Sequence, residues 1–188
     1  MKPIYTLLMV LVFAGLGGYV YLNERQPLEP AASNGEKPKV MILNLDKSKL
    51  TSIEVDQNMP SQSVALELKG KDWVFADKSA AKVDSTRIES LINQLERWQA
   101  ADVLEEKFKP AQAADFGLEP ADLIVRLNKG DLGTFKIGNK TPTSSGYYVL
   151  KEGDPRLYLA YVNQPEEFKK LINEPPVAKA SPVASPAK

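Results

Sequence analysis

The stretch SVALELKGKDWVFAD alternates apolar and polar residues with a period of two. Val64, Leu66 and Leu68 fall on one face, with Ala65, Glu67 and Lys69 on the other. After a turn at Gly70, the apolar residues resume at Trp73 and Phe75. Only an extended chain sends alternate side chains to opposite faces, so the pattern predicts an antiparallel hairpin with one buried side. DLIVRLNKGDLGTFKIG repeats the scheme: Leu123, Val125 and Leu127, a turn at Asn128-Lys129-Gly130-Asp131, then Phe135 and Ile137. Two more strands are expected around Tyr147–Leu150 and Leu157–Tyr161, joined through KEGDPR. Val40–Leu45 and Thr51–Asp56 read as a further pair.

Helices are fewer. In VDSTRIESLINQLERWQA, Ile88, Leu91, Ile92, Leu95 and Trp98 recur at helical spacing. Asp84 has the chemistry of an N-cap, and Val83 stands where it would staple onto Ile88. A shorter helix over about Pro165 to Asn173 would bury Phe168, Leu171 and Ile172. Hairpins followed by a helix, twice over, suggest two related halves, each with a Lys-Gly turn. The expected class is α+β: mostly antiparallel sheet of hairpins, one well-defined amphipathic helix and a short C-terminal helix, preceded by one transmembrane helix.

That transmembrane helix is read from an uncharged, mostly apolar run from Ile4 to Leu22. As a helix the run is about 30 Å long, the thickness of a hydrocarbon core. Tyr5, Tyr19 and Tyr21 fit interfacial anchors, and Ala14 with Gly18 forms a small-xxx-small pair suited to helix packing. Lys2 and the amino terminus precede the run, while Glu24 and Arg25 nearly cancel after it. The positive-inside rule therefore predicts a cytoplasmic N-terminus and an extracytoplasmic domain. A cleavable signal peptide, cut near Gly15 or Gly17, is the rival reading; the apolar run continues past both glycines through YVYL. The organisation expected is an anchor over 1–23, a Pro-containing linker over 24–39, a folded domain over 40–174 and a disordered Pro/Ala-rich tail over 175–188.

Composition restricts the chemistry. The chain has no histidine and no cysteine. It therefore lacks the usual neutral-pH general base, a thiolate nucleophile, and the common zinc ligands. Lysine and arginine balance aspartate and glutamate at 24 each, which disfavours a nucleic-acid partner. No catalytic residue, metal ligand or cofactor site is assigned.

Several motifs invite chemistry and fail on context. Asp115-Phe116-Gly117 has the letters of a kinase metal loop, but neither a glycine-rich loop nor a His-Arg-Asp catalytic loop accompanies it. Pro110 to Asp115 reads instead as a helical turn closed by a left-handed Gly117, with Phe116 and Leu118 pointing into the core. GTFKIGNKT lacks the unbroken Gly-Lys-Thr of a phosphate loop and reads as a strand ending in a glycine turn at Gly138. Glu105-Glu106 and Glu166-Glu167 read as solvated faces, without calcium-loop spacing. Tyr147, Tyr148, Tyr158 and Tyr161 are the candidates for a partner surface, against half-buried packing as the plainer alternative.

The order of these features resembles the bacterial family known as domain of unknown function 4340. The resemblance rests on Gly117-Leu118-Glu119-Pro120, then Ile137-Gly138-Asn139-Lys140-Thr141, then Tyr148-Val149, over about residues 63 to 162. Members often occur alongside ABC-type export or gliding-associated envelope systems. The resemblance implies an accessory role and carries over no catalytic residue. The function expected is thus a non-catalytic, single-pass membrane protein acting as an accessory or interaction subunit of an envelope complex. Its expected partners are the bilayer and other envelope or transporter proteins. Two alternatives stay open: a ligand-binding module with a Tyr- and Trp-lined pocket between sheet and helix, and a carboxylate- or lysine-dependent envelope enzyme.

Overall fold

The computed structural model describes residues 39–77 and 80–178. The anchor from Ile4 to Leu22, its Ala14–Gly18 pair, nearly all of the linker, and the tail beyond Ala178 lie outside the described residues. No helix within them is long and apolar enough to cross a membrane.

The described chain forms nine strands in one sheet. They are β1 (Met41–Asn44), β2 (Ser52–Gln57), β3 (Gln62–Lys69), β4 (Asp72–Phe75), β5 (Arg97–Glu105), β6 (Leu123–Leu127), β7 (Gly133–Lys140), β8 (Gly146–Lys151) and β9 (Leu157–Tyr161). The spatial order is β1-β5-β9-β8-β7-β6-β2-β3-β4, and every neighbouring pair is antiparallel. Two helices, α1 (Ser85–Leu95) and α2 (Asn163–Asn173), cover one face. The class is α+β with a mostly antiparallel sheet, as the alternation requires.

The period-two residues build the core as expected. Ile53, Val55, Leu66, Phe75, Leu123, Val125, Phe135, Ile137 and Val149 all turn to the helix-covered face and are buried. The expected hairpins form: Leu66 opposes Phe75, Val125 opposes Phe135, and Leu150 opposes Leu157. Asp84 caps α1, its side chain accepting from the N–H groups of Thr86 and Arg87. Phe168, Leu171 and Ile172 of α2 are buried.

Four expectations need correction. The first strand does not pair with the second: β1 lies against β5, whereas β2 lies between β3 and β6. Trp98 is not helical. The helix ends at Leu95, and Arg97–Asn44 and Trp98–Leu43 pairing makes this stretch a strand. Trp98 is fully buried there, its ring 5.0 Å from Phe135 and 5.7 Å from Phe168. The fold also continues past Glu174: Val177 bridges to Val83, and Ala178 N–H donates to the Lys82 carbonyl at 2.8 Å. Finally, the Lys-Gly turns join β3 to β4 and β6 to β7. The order β8-β7-β6-β2-β3-β4 is symmetric about the β6–β2 pair and equates β6–β7 with β2–β3, so the two turns are not equivalent.

A candidate binding cleft on the back of the sheet

The sheet's second face is half covered. After β5 the chain crosses behind β7, β8 and β9 as a 3-10 segment, Pro110–Phe116. Ala113 and Leu118 bury themselves against Leu157 there, with Phe108, Phe116, Tyr148 and Leu150 packed around them. The Asp115-Phe116-Gly117 motif belongs to this cover. Asp115 is exposed, and Gly117 takes the left-handed conformation (φ 66°) that ends the segment. Its N–H is shared between the carbonyls of Ala113 and Ala114. Phe116 and Leu118 therefore pack on the back of the sheet, not in the main core between sheet and helices.

Gly138 corrects a second reading. It lies inside β7 and does not form a turn. A Cβ at Gly138 would stand on the carbonyl oxygen of Phe116, and one at Gly117 would strike the Asn139 side chain. The two glycines let the covering segment and β7 meet backbone to backbone. Pro120 follows as the chain turns into β6.

Beyond this cover lies a cleft whose floor is one cross-strand row. Ser63 opposes Asp56, Asp56 opposes Ile124, Ile124 opposes Lys136, and Lys136 opposes Leu150. The row passes from polar residues on β3 and β2 to apolar ones on β8. A polar recess of about 470 Å³ sits over its first part, walled by the Asn58–Ser61 turn and by Leu118 to Ala121. A more apolar recess of about 290 Å³ sits over Leu150, walled by Phe108, Pro110, Ala113 and Pro155. Leu118, Glu119 and Lys136 line both. Lys136 Nζ meets Glu119 Oε2 at 3.3 Å, so one ion pair divides the two recesses. Asp56 is held by Arg126, which also lies 3.6 Å from Glu54.

The most perturbed ionisable groups lie elsewhere and are paired internally. Tyr147 donates to Glu166 Oε1 at 2.6 Å, and Lys140 Nζ donates to the same oxygen at 3.0 Å. Burial and the nearby carboxylate push the Tyr147 hydroxyl up to about 12. Hydrogen bonds from Tyr147 and Lys140 hold the Glu166 carboxyl below its ordinary value. Asp154 accepts from Arg156 at 2.7 Å and from the Tyr158 hydroxyl at 2.6 Å. Those bonds hold its carboxyl well below the usual range, and burial raises Tyr158. These sets tie α2 to β8 and β9 to its preceding loop. Among the described residues no three acidic side chains gather in a metal-binding group.

The four tyrosines do not form one surface. Tyr147 and Tyr158 are buried on the helix side, Tyr148 is half-buried under the covering segment, and Tyr161 is half exposed. Between the middle of the sheet and the helices the space is filled by Trp98, Phe135, Phe168 and Tyr158, and a recess of about 410 Å³ opens at the β3–β4 end, beside Phe75 and Ile172. The cleft on the back of the sheet is lined by neither Tyr nor Trp. Leu118, Glu119 and Pro120 of the motif after Gly117 line its wall, whereas Asp56, Ile124 and Lys136 on its floor belong to no motif. The available signal was Ile124, the apolar residue on an otherwise polar strand face.

No curated protein and no solved structure gave a match to the chain. A family model described as Domain of unknown function (DUF4340) matches residues 73–174, more than half of the chain. That span carries both glycines of the backbone contact and most of the cleft, and the chain belongs to this family.

Proposed function

We propose that this chain is a non-catalytic, single-pass membrane protein, with a cytoplasmic N-terminus and an extracytoplasmic domain, serving as an accessory or interaction subunit of a bacterial envelope complex. ABC-type transport is the system it would serve. The observation that carries the reading is the asymmetry of the sheet. One face is sealed by α1 and α2, while the back face is open over β2, β3 and β6, where a partner can settle without unfolding anything. The absence of histidine and cysteine and the internal pairing of the perturbed groups favour binding over catalysis. The anchor would concentrate the domain at the bilayer, and the linker would set its reach.

The test is affinity purification of the tagged full-length protein from native membranes in mild detergent, beside an Ile124→Glu variant. Transporter subunits recovered in fixed proportion, and lost both in the variant and when the anchor is replaced, support the proposal. Recovery of the protein alone overturns it.

The recesses also favour a second reading, a small-ligand-binding module. Together they have the size of ordinary ligand sites and combine an apolar floor with a few polar groups.

A further inference from the structure

Lys136 and Glu119 form an ion pair in an unusual setting. They stand between two recesses, and their side chains are 41% and 70% exposed. An exposed pair of this kind contributes little to folding, so its charges can be transferred to a ligand at small cost. The pair also joins two chemically different neighbourhoods. On one side Leu150, Leu118, Phe108 and Ala113 form an apolar seat of about 290 Å³. On the other, Asn58, Gln62, Ser61 and Ser63 offer amide and hydroxyl groups.

The charge balance around the apolar seat narrows the ligand. Lys136 and Lys151 face Glu119 and Glu152, while Asp154, at the far wall, is occupied by Arg156 and Tyr158. A fatty acid would meet Glu119 and Glu152, and a polycation would meet both lysines. A molecule carrying one positive and one negative charge close together meets neither penalty.

We infer that the cleft binds a zwitterionic amino-acid unit with an apolar side chain, either a free amino acid or a short peptide. The inference rests on the small-ligand reading above. The ligand carboxylate takes Lys136, its ammonium takes Glu119, and its side chain enters the seat over Leu150. In a leucyl dipeptide the ammonium and the side chain keep these places, the peptide carbonyl takes Lys136, and the carboxylate, one residue farther on, meets the Asn58 and Gln62 amides over Ile124.

The experiment is calorimetric titration of the full-length protein with leucine, leucyl-glycine, glycine, N-acetyl-leucinamide, decanoate and glucose, repeated with Glu119→Gln and Lys136→Gln. Leucine or leucyl-glycine should bind, and glycine and the doubly blocked leucine should bind about tenfold more weakly or worse. Each variant should lose a similar factor, and the exposure of both side chains keeps the fold intact. A tighter dipeptide identifies peptides as the source; tighter leucine identifies free amino acids. Blocked leucine binding as well as leucine, or both variants binding like the parent, overturns the inference. Binding of decanoate or glucose without leucine overturns this ligand class and leaves the ligand reading standing. No binding by any of the six at millimolar concentration removes both.

Discussion

The carbonyl oxygen of Phe116 occupies the place where a Cβ on Gly138 would stand. Two short motifs about twenty residues apart in sequence thus meet as bare backbone, and the contact fixes the covering segment against β7. One wall of the cleft, from Leu118 to Ala121, is set by that contact. The Gly117 and Gly138 motifs therefore report packing geometry.

Substituting Gly138 by alanine forces that backbone apart. We expect a loss of about 2–3 kcal/mol, in the range of overpacked cores. Gly70→Ala is the control. Gly70, unlike Gly138, has a positive φ (68°), but nothing lies within 4 Å of its added Cβ, so only backbone strain of about 1 kcal/mol is expected. Thermal or urea denaturation of the two variants checks the order; equal losses would contradict the contact.

Tyr147 and Glu166 should control part of the pH profile at both ends. The folded state keeps Tyr147 protonated up to about 12, whereas an unfolded tyrosine ionises near 10. Its contribution is complete below about pH 10 and is lost as pH rises toward 12. Glu166 is shifted the other way, so its contribution is present above the ordinary carboxylate range and lost on acidification. Tyr147→Phe should cost about 2 kcal/mol at neutral pH and flatten the alkaline loss. Denaturation curves measured from pH 7 to 12 would show it.

Asp154 holds the entry to β9 through Arg156 and Tyr158. With its folded carboxyl held far below the unfolded value near 3.9, its stabilisation exists above that value and disappears as pH falls through the acid range. Asp154→Asn should cost about 2 kcal/mol at pH 7 and progressively less as pH falls below the ordinary carboxylate range. A constant penalty across that range would argue against the charged pairing.

Asn128 is more than a turn residue. Its side-chain oxygen accepts from the N–H groups of Thr51 and Ser52 at 2.7 and 3.1 Å, and its amide donates to the Lys49 carbonyl at 2.7 Å. It does so from a left-handed backbone (φ 51°), which asparagine tolerates better than most residues. Asn128→Ala should cost about 2 kcal/mol. Neighbouring Lys129, also left-handed (φ 58°) but exposed, should gain up to about 1 kcal/mol on substitution by glycine. Differential scanning calorimetry separates the two signs.

How much of this was legible in the chain differs by element. The β3–β4, β6–β7 and β8–β9 hairpins were readable because each joins an alternating run to its neighbour through a short turn, so pairing and register are local. Helix α1 was readable at its start, where Asp84 supplies the cap, and not at its end. No glycine or proline marks the stop before Arg97, and Trp98 is buried whether it continues the helix or begins a strand. Asn128, read only as part of a turn, needed the position of a segment some eighty residues earlier to show its role.

By itself, then, the sequence determined the period-two faces, the α1 cap and the left-handed turn at Gly117, all of which depend on neighbours within a few residues. The tertiary structure decided that β1 joins β5, that β2 joins β6, and that the segment from Pro110 to Phe116 lies behind the sheet. Those pairings join residues distant in the chain, and several strands with alternating patterns could have satisfied the same local rules. The cleft belongs wholly to the second group. Asp56, Ile124, Lys136 and Leu150 come from four strands and form a row only after the sheet has set its order.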